Sequence, residues 1–296
     1  MDVLSVVILS GFVSPAKVEL VCLAACNACR ESSAAYSLVV KDRNIHLVQS
    51  PRQEGQEGPS SYFDGQGDTI PQCHGRISPH RRISRLLYNV DLPLPQVAWP
   101  AGLRALRFGW TFDHPLDAPL PASLVSLELG GSFNHHIEGV AWPPRLTLLR
   151  FGDRFNRQVE LAAWPATLRE LTFGSSFDQP IESVEWPPAL EVLRLGDGFN
   201  HPVRGVEWAG AASLRRLEFG SAFRCAVGGV AWPSGLRVLK FGACFDQPLD
   251  AGQLPGSLRL LHLPDLYAMH DEFEPDRLPE GCRLRIDRTE MFDLTY

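Results

Sequence analysis

From residue 99 onward the apolar residues fall into a long repeating phrase rather than into helical or simple alternating runs. The phrase W-P-x-x-L-x-x-L-x-F-G-x-x-F-[N/D]-x-P-[I/L/V] begins at Trp99, Leu120, Trp142, Trp164, Trp186, Trp208, Trp232 and Leu254, at spacings of 21, 22, 22, 22, 22, 24 and 22 residues. Inside each unit an apolar-polar-apolar triplet, such as Leu171, Thr172 and Phe173, predicts a short strand with one buried face. The glycine that follows (Gly109, Gly130, Gly152, Gly174, Gly196, Gly220, Gly242) is expected where the chain leaves the strand through a conformation other residues avoid. The prolines after Trp and before the last apolar residue fix extended bends. Each unit is therefore a strand, a corner, a return segment and a second corner. The two extra residues of the long unit, in "WAGAASL", are expected in a turn.

One such coil has too little apolar surface to offset the entropy of ordering its backbone, and stacking is what supplies the rest. The repeat thus predicts a solenoid. Its inner columns are Leu103, Leu124, Leu146, Leu168, Leu190, Leu214, Leu236 and Leu258, with two further columns running from Phe108 to Phe241 and from Phe112 to Phe245.

The phrases "FGSSFDQPI", "FGDRFNRQV" and "FGACFDQPL" resemble FNIP repeats, a 22-residue relative of the leucine-rich repeat; the resemblance covers about residues 99–263. It implies a leucine-rich-repeat-like stack of about 22-residue coils with a parallel β-sheet on one face of a curved stack. Leu120 and Leu254 replace Trp, Ala209 replaces Pro, and Arg224 stands where Asn or Asp is usual.

The flanks differ from the repeats. Residues 1–48 are expected to form a small helical segment, because the apolar residues between 14 and 31 recur at helical spacing. Residues 8–31, "ILSGFVSPAKVELVCLAACNACRE", resemble the second half of an F-box, with "VSPAKVEL" matching its Ser-Pro helix start. That resemblance implies docking on the adaptor subunit of a cullin-RING ubiquitin ligase, the solenoid then presenting the target. Residues 49–82, rich in Gly, Gln, Pro and Ser, are expected to be a flexible linker. Residues 83–98 look like a shortened unit that caps the first coil. At the other end the motif breaks after Leu263, and residues 264–296 are expected to cap the last.

Composition limits what such a chain can do. It has 296 residues, 45% hydrophobic and 21% charged, with a net charge of -6. That balance gives no general attraction to nucleic acid or an anionic membrane, and neither is expected as a partner. No stretch is apolar for long enough to predict a spanning helix. Seven cysteines spread over the chain do not resemble a disulfide framework, so a reducing cytoplasmic or nuclear setting is expected. The alternative is secretion, since "MDVLSVVILSGFVSPA" loosely resembles a leader, although it lacks a positive n-region.

Candidate chemistry adds little. Cys22, Cys26 and Cys29 have C-x3-C-x2-C spacing, but no pattern of alternating strands and helices follows, and small buried helix cysteines explain them better. The Asn/Asp column (Asp113, Asn134, Asn156, Asp178, Asn200, Asp246) is expected to bond its own turn backbone. His114, His135, His136 and His201 are scattered over several coils, whereas metal ligands converge. No phosphate loop, nucleophile elbow or H-E-x-x-H occurs, and neither an enzyme nor a cofactor is expected.

Recognition is therefore expected on the outward positions of the strands. One column holds Arg107, Glu128, Arg150, Thr172, Arg194, Glu218, Lys240 and His262; a second includes Leu148, Glu170, Val192, Arg216, Val238 and Leu260. Apolar residues beside Arg resemble a protein-binding surface, while the alternating signs of the first column equally predict a self-paired, solvated ladder. A flank of Arg104, Arg169, Arg215, Arg237 and Arg259 would suit an acidic peptide. Three functions follow: the substrate-recognition arm of a ubiquitin ligase, the same solenoid as a scaffold without that link, or a secreted recognition protein.

Overall fold

The computed structural model describes residues 5–9, 36–41, 44–49 and 85–89 by their backbone, and residues 94, 99, 102–265, 267 and 273–286 in full. The repeats form a parallel β-solenoid. Nine strands run from β5 to β13: β5 (Ala105–Phe108), β6 (Ser126–Glu128), β7 (Leu148–Arg150), β8 (Glu170–Thr172), β9 (Val192–Arg194), β10 (Arg216–Glu218), β11 (Val238–Lys240), β12 (Leu260–Leu263) and β13 (Arg283–Ile286). Each pairs in parallel with the next, one strand per coil.

The sheet also continues in the N-terminal direction. Strands β1 (Ser5–Leu9), β2 (Tyr36–Lys41), β3 (Asn44–Gln49) and β4 (Arg85–Asn89) extend it in the order β5-β4-β1-β2-β3. All these contacts are parallel except the antiparallel pair of β2 and β3. The described parts of residues 1–48 are thus strands, where a helical segment was expected. "SVVIL" and "YSLVV" carry the β-branched residues that favour a pleated backbone. The helix expected between residues 14 and 31, its three cysteines, and nearly all of the 49–82 linker lie outside the described residues.

Apolar columns build the core, among them the expected one from Phe108 to Phe241, which is buried throughout. The eight leucines from Leu103 to Leu258 are all fully buried, and so, one turn on, are Leu127, Leu149, Leu171, Leu193, Leu217, Leu239 and Leu261. Phe112, Phe133, Phe155, Phe177, Phe199, Phe223 and Phe245 stack face to face, with centroids 6.0 to 6.4 Å apart. The stack does not end with the motif. Tyr267, 22 residues beyond Phe245, lies 5.6 Å from it and nearly parallel, so the terminal segment supplies one more ring to the column.

The motif glycines serve a different purpose from the one their sequence position suggests. Among the described residues a left-handed φ occurs only at Gly139, Gly229 and Gly281, none in the column. At Gly174 a side chain is excluded by proximity: a Cβ would overlap the carbonyl of Gly152 and lie 2.7 Å from the Cα of Asp153 in the preceding coil. Glycine is required because backbones of successive coils touch there. The long unit places its insertion in a 3-10 turn, Trp208–Ala211, as expected of an insertion at a corner.

Candidate functional site

The strands of the solenoid bury every second residue. In β5 the pattern is partly buried, buried, exposed, buried, and in β7 partly buried, buried, exposed. Leucine goes inward, so the residues on either side of it go outward. Register then fixes two outward columns. Arg107, Glu128, Arg150, Thr172, Arg194, Glu218, Lys240, His262 and Arg285 align across nine strands. Beside them run Ala105, Ser126, Leu148, Glu170, Val192, Arg216, Val238, Leu260 and Arg283. All fourteen residues proposed from sequence lie in these columns. His262 differs from the rest in being buried, 8% exposed; its imidazole is shorter than the Lys240 and Arg285 side chains that flank it in register.

Electrostatics divides the face into two parts. From β5 to β10 the charges form one connected ladder: Arg107 to Glu128 at 3.4 Å, Glu128 to Arg150 at 3.8 Å, Arg150 to Glu170 at 3.1 Å. It continues from Glu170 to Arg194 at 2.5 Å, Arg194 to Glu218 at 3.4 Å and Glu218 to Arg216 at 2.9 Å. Thr172 would break the alternation between Arg150 and Arg194. Glu170, in the adjacent column, fills the gap by accepting from both. Partial burial raises the Glu170 pKa, but hydrogen bonds and charge from Arg194 and Arg150 outweigh it and hold the carboxyl below its ordinary value. The self-paired ladder therefore describes this part of the face.

Beyond β10 the ladder has no acid to continue with. The outward positions of β11, β12 and β13 are Val238, Lys240, Leu260, His262, Arg283 and Arg285. In the arginine flank Arg169 is held by Glu191 at 2.7 Å, whereas Arg259 donates to the carbonyls of Gly256 and Leu258. No ion pair engages Arg215, Arg237 or Lys240 among the described residues.

The Asn/Asp column is structural, and its bonding is between coils rather than within the turn. Asp113 accepts from the backbone N–H of Asn134, Asn134 from Asn156, Asn156 from Asp178, Asp178 from Asn200 and Asn200 from Arg224, at 3.0 to 3.2 Å. The Arg224 N–H donates to Asn200, but its guanidinium has no acceptor with which to continue the column. The histidines join the same scheme: His135 and His201 reach back to Asp113 and Asp178 at 3.1 and 3.3 Å. They are three coils apart, and no group of three or more potential metal ligands exists among the described residues. The Cys225 thiol is pushed up by burial and by the charge of Asp178, which suits an inert rather than a nucleophilic cysteine.

One exposed aromatic was not foreseen. Trp110, 59% exposed, occupies the slot after the motif glycine of the first full coil. Its indole lies over Gly131, where a Cβ would overlap the ring. A second glycine directly after the motif glycine, at 131, found in no other unit, was the available signal.

The family model described as FNIP Repeat matches residues 133–176 and 232–265 of the chain. Among solved structures the chain is similar to a leucine-rich repeat protein from Bacteroides ovatus. The two are 12% identical, the alignment covers 71% of this chain and 73% of the other, and the TM-score is 0.22. No curated protein matches the chain. No helix among the described residues is long and apolar enough to cross a membrane.

Proposed function

We propose that this FNIP-repeat solenoid is a protein-interaction module that presents the outward face of β5–β13 to a protein partner. The supporting observation is the segregation of variable from repeated positions. Residues that recur in every coil are buried in the core or bonded between coils, while the two outward strand columns change from coil to coil and are aligned by register. Half-buried Leu148, Val192, Val238 and Leu260 lie on that surface among arginines, the mixture that suits a protein interface better than a solvated sheet. Binding rather than catalysis is the mode of action: the charged residues from β5 to β10 neutralise one another, and no nucleophile is paired with a base on the face.

The test is affinity capture by the full chain, compared with variants Leu148→Glu and Val192→Glu on the face and Arg145→Glu in a corner turn. The expected result is a protein retained by wild type and Arg145→Glu and lost by both face variants. Equal retention by all three would place binding elsewhere.

The resemblance of residues 8–31 to an F-box supports a finer version, in which the module selects targets for a ubiquitin ligase. In that version residues 1–48 retain the ligase adaptor. The backbone of Ser5–Leu9 in the sheet weighs against it, since Ile8 and Leu9 are then committed to a strand. Failure of the full chain to retain the adaptor, beside an intact F-box control that does, would remove the ligase link and leave the interaction module standing.

A further inference from the structure

We infer that the C-terminal end of the strand face, β11 to β13 with the arginines beside it, is a docking site for an acidic segment of a protein. This rests on the strand face being the partner surface, and adds where on it the partner sits and what chemistry the partner brings. Within three adjacent strands and their flank lie Arg237, Lys240, Arg259, Arg283 and Arg285, and no Asp or Glu occupies an outward position. Arg237, Arg259 and Arg283 are exposed. Neighbouring strands are about 4.8 Å apart, inside the Debye length of about 8 Å at physiological salt, so the potentials of these cations add.

The remainder of the face shows why this arrangement is unusual. From β5 to β10 every outward Arg has a Glu within 4 Å, down to Glu170 serving two arginines at once. Like charges facing each other across strands are destabilising. From β5 to β10 the outward charges are neutralised, whereas the outward positions of β11 to β13 supply cations and no acid, a surplus that a complementary partner would neutralise on binding. The apolar residues identify the class of partner. Val238 and Leu260 occupy the middle of the cationic patch and are half-buried, offering contact to an aliphatic side chain between carboxylates. The outward positions of β11–β13 carry no Phe, Tyr or Trp, so the stacking platform that single-stranded nucleic acid uses is missing.

The test uses the full chain and a fluorescein-labelled peptide of repeating Glu-Leu-Glu-Ala, with a Gln-Leu-Gln-Ala peptide, a fluorescein-labelled oligothymidylate and phosphatidylserine vesicles as comparison arms. Fluorescence anisotropy is expected to show binding of the Glu peptide only, weakening as salt rises from about 50 to 200 mM. The double variant Arg237→Glu/Arg283→Glu is expected to weaken it by roughly tenfold or more, and Arg145→Glu to leave it unchanged. Thermal midpoints establish that the variants are folded, and Arg237→Gln/Lys240→Gln, which removes charge without adding acid, serves if the reversal does not fold. Equal binding of the Gln peptide, tighter binding of the oligonucleotide or vesicles, or undiminished binding by a folded patch variant would overturn the inference. A natural partner lost on Val192→Glu but retained by Arg237→Glu/Arg283→Glu would leave the interaction module intact and remove only its acidic-segment specificity.

Discussion

Replacing Gly174 by alanine adds one methyl group where two coils touch. The new Cβ would overlap the Gly152 carbonyl and lie 2.7 Å from the Asp153 Cα, against ordinary contacts of about 3.4 to 4 Å. Both obstacles are backbone, so no side chain can swing aside. The coils around them are also fixed: Phe177 N–H donates to Gly174 at 3.2 Å, Ser176 N–H to Asp153 at 2.8 Å and Phe173 N–H to Arg194 at 2.9 Å. Relief requires the coils to separate locally, which also loosens the phenylalanine stack at 6.2 Å. Overpacking of this kind costs about 1–3 kcal/mol and occasionally more; with backbone on both sides the upper end, about 3 kcal/mol, is expected. For a domain of this size that is a fall in thermal midpoint of roughly 6 to 12 °C. Two comparison variants separate proximity from dihedral preference. Gly256→Ala, with nothing within 4 Å and no left-handed φ, should be neutral or stabilising by about 0.4–1 kcal/mol. Gly139→Ala, equally open but at φ 71°, should cost about 1 kcal/mol. Urea unfolding followed by circular dichroism ranks the three. A Gly174→Ala protein as stable as Gly256→Ala would refute the close-approach argument.

Further outcomes follow from the same contacts. Arg194→Glu removes ion pairs to Glu170 and Glu218 and puts a third acid between them, so it should cost on the order of 1–2 kcal/mol in urea unfolding; Arg237→Glu, which breaks no ion pair among the described residues, should leave the midpoint nearly unchanged. Because the folded pKa of Glu170 is lowered, its contribution is fully present above the unfolded carboxylate value near pH 4.5 and is lost as pH falls through the folded value. Glu170→Gln should therefore narrow its stability gap to wild type on acidification below about pH 4.5. Phe177→Ala, in the middle of the ring stack, should cost about 3–5 kcal/mol. Asn156→Ala removes the acceptor of the Asp178 N–H and of the Gln179 amide and should cost about 0.5–1.5 kcal/mol.

The repeat made the coil legible because each core position is specified eight times over. Leucine at 168 or phenylalanine at 177 is unambiguous once the same type stands at every equivalent site. What the single letters did not convey was contact between coils. Gly174 and Asn156 look like turn residues in one unit, yet one excludes a side chain from the next backbone and the other bonds across to it. Tyr267 was missed because its surroundings depart from the motif while its spacing does not. The strands at Ser5–Leu9 and Tyr36–Lys41 were missed because short apolar runs suit a helix or a strand alike, and their pairing with distant strands decides. On the candidate face, the two columns were readable from alternation alone, but their division was not: that Glu170 crosses columns to serve Arg150 and Arg194, leaving Arg237 and Lys240 without a partner acid, requires the register.

The central claim, that the strand face is the partner surface, is tested most directly by arginine footprinting of the chain with and without a captured partner. Phenylglyoxal labelling read by mass spectrometry reports each guanidinium separately. Protection of Arg237, Arg259 and Arg283 is expected in the complex, with unchanged labelling of Arg145 and Arg204. Protection of Arg145 and Arg204 with the strand-face arginines labelled as in the free chain would contradict it.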